Sequence, residues 1–294
     1  MLQIIDNKTL ALVAVLVAVL NTLALAYFTG RRPRFKGQRH WVLGSGLYTL
    51  GVCGLLLQGQ VDKFITVVLG NTVLVGSLAI ILVGLELFVY GKSRRNLVAV
   101  YPLVSLIGIA WLTYIHFNTP MRIMLFSLLL GLIGIHSGFT LLNWKNRPHP
   151  PRYWGGAFVY FFFASFFLFR AVVTMAQPTA QSIFSINAFN SLAFIMGIFA
   201  NICWTMTFIS LVTVRTDQER LVLIDELQQA LSEVKKLEGF IPICSNCKKI
   251  RDDQGYWQQV EQYVSERSSA QFSHGICPDC IKILYPDYDI DKND

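Results

Sequence analysis

At 294 residues, with 53% hydrophobic and only 15% charged side chains and a mean hydropathy of +0.47, the chain falls well short of the roughly one-quarter charged content of a soluble domain. The net charge of +7 divides unevenly: residues 1–214 hold 15 Lys and Arg against Asp6, Asp62 and Glu86, a balance of +12, whereas residues 215–294 hold 10 against 15 acids, a balance of −5. The segment able to be soluble is the acidic one, so a nucleic-acid partner is excluded, because such a surface needs clustered cations.

Runs of about 18 or more apolar residues can cross a hydrocarbon core of about 30 Å as helix. Seven such runs, 9–28, 40–58, 64–90, 97–116, 120–143, 153–176 and 187–214, predict an all-α membrane domain of seven transmembrane helices over residues 1–214, with the lipid bilayer as its surroundings. Cationic loops stay in the cytoplasm. Arg31, Arg32, Arg34, Lys36 and Arg39 follow the first run, Lys92, Arg94 and Arg95 the third, and Lys145, Arg147 and Arg152 the fifth. The opposite side carries only Lys8, Lys63 and Arg122, so the N-terminus is expected outside and the C-terminus inside. Ala24-Leu25-Ala26 has the small-residue pattern of a signal-peptide cleavage site. The first run is nevertheless read as a span, since cleavage would leave the five-cation loop outside.

Residues 215–239 turn polar but keep a helical period: Leu223, Leu227, Ala230, Val234 and Leu237 are spaced 4, 3, 4 and 3, a heptad seam. The segment is expected to be a helical linker, either an amphipathic extension of the seventh helix or the seam of a parallel homodimer. Glu233 and Glu238 set like charges beside that seam, which opposes strong pairing. Gly239 ends the helix, residues 240–288 read as a compact cysteine module, and 289–294 form an acidic tail. Within the module, Lys248 to Arg251 suits a strand, Asp252 to Gly255 a turn and Tyr256-Trp257 a return strand. Trp257, Val260 and Val264 then fall at helical spacing. The expected fold class is thus an all-α membrane domain with a helical linker and a small α+β, zinc-ribbon-like cytosolic module.

Cys53 and Cys203 lie within apolar runs. The other four cysteines form Cys244-x-x-Cys247 and, after 29 residues, Cys277-Pro278-Asp279-Cys280. Thiolates two residues apart can grip one metal from a tight turn, and two such turns complete a tetrahedral S₄ site. On the reducing side of a membrane, metal ligation is favoured over disulfides. A structural Zn²⁺ is the first reading for Cys244, Cys247, Cys277 and Cys280. Iron is the alternative, because C-x-x-C with C-P-x-C is similar to rubredoxin, although Lys248 and Ile281 stand where rubredoxin has glycines. A dithiol redox centre is the third reading, and His274 is a possible additional ligand or turn cap.

The stretch from Leu237 to Asp253 (LEGFIPICSNCKKIRDD), with Gly255-Tyr256-Trp257, then Phe272 to Cys280 (FSHGICPDC) and Leu284-Tyr285-Pro286, resembles a cysteine module that ends many bacterial signalling proteins, where it follows PAS, receiver or other sensory domains. The resemblance covers about 50 residues and carries no biochemical activity with it. More loosely, the preceding 214 residues are similar to seven-helix input domains that stand before bacterial diguanylate cyclases and histidine kinases. Neither catalytic domain follows here, so the resemblance implies a non-enzymatic receptor in the bacterial inner membrane, with a cytoplasmic module that binds an unknown cytosolic signalling protein.

Ionisable residues inside spans are costly and are functional suspects by default. Arg170 lies about 16 residues into the sixth run, in its outer half at roughly 1.5 Å per residue. It is expected to reach towards Asn71, His116, Arg122 or Asn190, with Asn118 nearby, a cluster short of acids that suits an anionic or polar ligand. Snorkelling is the bland alternative. Glu86, near the inner end of the third run, is at the depth of His136 and could pair with it. Residues 187–214 contain no lysine for a retinal Schiff base, and the aromatic run from Tyr160 to Phe169 reads as packing and lipid contact. These readings converge on a membrane receptor relaying an outer or intramembrane stimulus. A membrane-bound redox protein using iron or reactive thiols is the alternative. A transporter lacks its expected paired, broken-helix repeats.

Overall fold

The computed structural model describes residues 7–31, 35–142, 153–176, 188–234, 241–268 and 270–286. In chain order the elements are α1 (Asn7–Arg31), α2 (Gln38–Leu56), a π-helical turn (Phe64–Leu69), α3 (Gly70–Tyr90), α4 (Arg95–Val98), α5 (Val100–Tyr114), α6 (Thr119–Leu142), α7 (Trp154–Ala176), α8 (Ala188–Val234), β1 (Ile250–Arg251), β2 (Trp257–Gln258), α9 (Val260–Arg267) and α10 (Pro278–Leu284). Among the described residues, six helices are long and apolar enough to cross a membrane: Asn7–Arg31, Phe64–Tyr90, Arg95–Tyr114, Thr119–Leu142, Trp154–Met175 and Asn190–Ser232. The second apolar run does form a 19-residue helix, α2. It stays outside this group of six because Gln38, Arg39 and His40 and four glycines dilute its apolar character.

The chain divides into two compact units, residues 1–220 and 221–294. In the first, glycines let neighbouring helices approach closely. On α2 and the turn before it, Gly37, Gly44 and Gly51 recur every seven residues and face α3. A Cβ on Gly44 would lie 2.6 Å from Ile81 Cγ1, and one on Gly51 2.6 Å from Leu74 Cγ. Gly37 has φ +98°, and its missing side chain leaves room for the carbonyl oxygen of Gly84. On α6, Gly131 and Gly134 meet Leu168 and Ala164 of α7, and Gly138 meets Phe161. Such small-residue contacts are how helices associate in lipid, where apolar surface gains nothing from leaving water.

Hydrogen bonds between helices add to this packing. Thr22 Oγ1 of α1 lies 2.7 Å from Ser45 Oγ of α2. Ser191 Oγ of α8 donates to Asn7 Oδ1 of α1 at 2.7 Å, and Asn21 Nδ2 donates to Asn201 Oδ1. In the first turn of α2, fully buried Trp41 stacks on Phe208 with ring centroids 4.6 Å apart. The aromatic run on α7 divides between the interior and the surface. Tyr160, Phe163 and Phe167, at helical spacing, are buried, while Phe162 and Phe169 are exposed.

In the second unit the expected hairpin forms, with Ile250 opposite Gln258 and Arg251 opposite Trp257 in an antiparallel pair. Asp252 Oδ1 closes the turn by accepting from the N–H groups of Gln254 (3.0 Å) and Tyr256 (2.8 Å), and Gly255 takes φ +92°. The linker helix is continuous with the last apolar helix, since α8 runs unbroken to Val234. Leu223 and Leu227 of the heptad seam are exposed in the single chain. The side chains of Glu233 and Val234, and residues 237–238, lie outside the description.

Gly84→Val tests the helix packing. A Cβ there would meet Trp41 Cδ1 at 2.7 Å and the Gly37 carbonyl at 2.8 Å, and forced overpacking costs about 1–3 kcal/mol. Thermal unfolding of the full-length protein in detergent should show a lowered Tm. An unchanged Tm would remove the close contact between α3 and the turn before α2.

Candidate functional site

One end of the bundle, where α1, the third span (Phe64–Tyr90, counting α2 as the second), α6 and α8 begin and α2, α5 and α7 finish, encloses a cavity of about 190 Å³. Each side contributes through its own local structure. On α7 the buried stripe that includes Tyr160, Phe163 and Phe167 continues at the same spacing to Arg170, which is therefore carried inward and is only 7% exposed. Thr174 Oγ1 donates to the Arg170 carbonyl at 2.8 Å, whereas the Arg170 Nε has no hydrogen-bond partner among the described residues. Phe167 and Arg170 both line the cavity.

Arg122 enters from the first turn of α6. Its Nη2 donates to Thr119 Oγ1 at 2.7 Å and its Nη1 to Thr113 Oγ1 at 3.3 Å, while its Nε is buried without a partner among the described residues. Asn71 follows the π-helical turn, a device that widens one helical turn and shifts the residues around it. It is 6% exposed, lines the cavity, and donates its amide to the Val67 carbonyl four residues back at 2.6 Å. Tyr48 and Gln58 add polar groups, and the remaining wall is largely apolar, with Phe126, Phe194 and Ile198.

Three of the five residues expected to sense a ligand, Asn71, Arg122 and Arg170, thus share one cavity. His116 does not join them. It is exposed after the end of α5, with its ring 6.1 Å from that of Trp111. Asn190 is buried on α8 one turn ahead of the cavity-lining Ala193 and Phe194, but does not line the cavity itself. Tyr48 and Gln58 escaped the sequence reading because only the fold brings the end of α2 over the start of the third span.

The described residues 7–214 contain two carboxylates, and neither lines this cavity. Asp62 is exposed, and its Oδ1 accepts from the Phe64 N–H at 2.7 Å. Glu86 is 4% exposed near the opposite end of α3. Its Oε2 accepts from Ser93 Oγ (2.6 Å) and the Arg94 N–H (3.0 Å), and its Oε1 lies 3.3 Å from His136 Nε2. The depth match between Glu86 and His136 is therefore a real contact, and Tyr101 OH approaches His136 Nδ1 at 3.3 Å. Glu86 fastens the turn in which Gly91, at φ +74°, ends α3.

The four cysteines of the second unit form two close pairs. The N–H groups of Cys247 and Asn246, the Cys247 thiol and the Lys248 N–H hold the Cys244 thiol below its ordinary range. The Cys280 N–H, then the Cys280 thiol and the Asp279 N–H, do the same for Cys277, which stands at the N-cap position of α10. Lys248 has φ +62°, so the residue after the first pair takes the left-handed conformation that glycine favours. Ile281, after the second pair, lies inside α10 instead. Among the described residues no group of three or more His, Cys, Asp or Glu side chains comes together as a metal cluster, and His274 is exposed.

No protein-family model, curated protein or solved structure matches the chain. The class that fold and site define is a multi-pass helical membrane protein carrying a small cysteine-paired α+β unit.

Glu86→Ala should expose how strongly the carboxylate fastens the α3–α4 turn. Hydrogen bonds to a charged acceptor are worth about 1.5–3 kcal/mol, and a loss of that size is expected in thermal unfolding of the detergent-solubilised protein. Wild-type stability in this variant would remove that role.

Proposed function

We propose that this protein is a bacterial inner-membrane signal-transduction receptor, in which a ligand in the cavity alters α8 and the change is read at the cysteine unit. The observation that carries the reading is the cavity itself: Arg170 is buried there without a carboxylate among its described lining, and Phe194 and Ile198 of α8 form part of the wall. Helix α8 then continues without a break to Val234. A ligand that moves its first turns has a direct covalent path to the linker.

In this reading α2 is the seventh crossing, supported by its 19 residues and its close approach to α3 through Gly44 and Gly51. Loops with Arg31, Lys36 and Arg39 and with Lys92, Arg94 and Arg95 stand at the end away from the cavity, so the cation rule puts the cavity outside and the C-terminus in the cytoplasm. Amine-reactive labels applied to intact cells should modify Lys8 and Lys63 and spare Lys36 and Lys92. The reverse pattern overturns this orientation.

The cysteine unit binds one Zn²⁺ through Cys244, Cys247, Cys277 and Cys280 and presents a protein-interaction surface, with the exposed Leu223 and Leu227 seam pairing two copies. Zinc is supported by the size of the core: Ile250 and Tyr263 are the only buried side chains among the described residues of the unit, too few to hold a module of this length without a staple. Metal binding in zinc-finger peptides supplies on the order of 10 kcal/mol of apparent folding free energy. The rubredoxin-like iron alternative gains from the left-handed Lys248 but loses from the helical Ile281. Purified protein is expected to contain one zinc per chain, and a strong chelator or Cys247→Ser should unfold residues 241–286 while the membrane helices persist. Stoichiometric iron would favour the redox reading, and a folded unit without metal would remove the site.

A further inference from the structure

We infer that the cavity between the membrane helices binds a monocarboxylate with a compact apolar body, the carboxylate on Arg170 and Arg122 and the body against Phe126, Phe167 and Phe194. The inference rests on the receptor reading for its biological use, but the chemistry stands on the cavity alone. Arg170 is 7% exposed and its Nε has no hydrogen-bond partner among the described residues, and the Nε of Arg122 is likewise buried without one among them. Guanidinium is a planar fork matched to carboxylate geometry and stays charged at any physiological pH. With no acid among the described lining residues, the missing countercharge is one an entering ligand can bring.

Shape and polarity narrow the class. A cavity of about 150 Å³ lined by Leu, Ile and Phe takes up benzene. The space here is somewhat larger, about 190 Å³, which leaves room for a ring-sized body together with its carboxylate. Phosphate fits less well, because it is more strongly hydrated, carries more charge and would meet three phenylalanines. Asn71 has its amide turned to its own helix at Val67, so the arginines are the principal donors. One apolar acid can arrive from two sources, dissolved in water as an aromatic acid or partitioned in the bilayer as a medium-chain fatty acid. Both present a carboxylate on an apolar body.

The test is binding to purified full-length protein in lipid nanodiscs, with benzoate, octanoate and the neutral isostere benzamide as probes. Benzoate or octanoate should bind with at least about tenfold preference over benzamide, as expected for a charged hydrogen-bonded pair. Arg170→Gln should abolish that preference. Gly197→Leu supplies a second variant that keeps both arginines: Gly197 lines the cavity and a Cβ there meets no atom within 4 Å, so the chain should fold while the cavity is filled and affinity for the acid falls. Tighter binding of octanoate than of benzoate would identify the bilayer as the source, the reverse would identify water, and both support the class. Equal binding of benzamide, or no binding of either acid at millimolar concentration, overturns it. Hydrogen exchange across residues 215–232 in the same samples separates the two readings. Acid binding with unchanged exchange keeps the ligand class and removes the receptor, whereas benzamide binding as tightly as the acids, with altered exchange, removes the class and keeps the receptor.

Discussion

Helices in lipid gain no hydrophobic free energy from touching one another, so what holds this bundle together is close packing and the hydrogen bonds that hydrocarbon cannot satisfy. The arrangement follows from that constraint. Glycines at seven-residue spacing let α2 lie against α3, and Gly131, Gly134 and Gly138 do the same for α6 on α7. Asn7, Asn21 and Thr22 tie α1 to α8 and α2 through side-chain hydrogen bonds. With most backbone groups committed inside the helices, polar side chains in the interior either pair with one another or wait for something else to pair with them.

The two ends of the bundle answer this requirement differently. Near the cation-rich loops, Glu86 is satisfied by Ser93, Arg94 and His136, and the result is a fastened turn. At the other end, among the described residues, Arg122 is only partly satisfied by two threonines, and Arg170 keeps a buried Nε without a partner. An internal cation with no anion among its described neighbours costs stability, and such costs persist where a function uses them. The contrast in one domain between a compensated acid and uncompensated bases is the reason to read the second as a binding site and the first as scaffolding.

Much of this was legible in the sequence because hydropathy and turn chemistry act locally. The apolar runs mark the helices to within a few residues, and Asp252 to Gly255 announces its own turn. Arg170 was visible as a cation in an apolar run, and helical spacing from Phe167 explains its inward direction. The membership of the cavity was less legible. His116 falls outside it because α5 ends just before, and Tyr48 and Gln58 enter it because the end of α2 covers the third span, a long-range fact without a local signal. The helix α2 itself shows the limit of hydropathy: its glycines are the means of packing on α3, yet they lower its apolar character below that of its neighbours. In the cysteine unit the sequence marks the two pairs, and in each the N–H and thiol of the second cysteine hold the first thiol below its ordinary range.

The central claim is that Arg170 carries a buried charge whose partner is supplied from outside the protein. Its most direct measurement is the thermal stability of ligand-free Arg170→Met protein in detergent. Removing an uncompensated buried cation while keeping an apolar side chain of similar length should raise Tm, with a gain of about 1–4 kcal/mol by analogy with buried ions replaced by apolar residues. A lowered Tm would contradict the account, because it would show that the guanidinium already has its partners within the bundle.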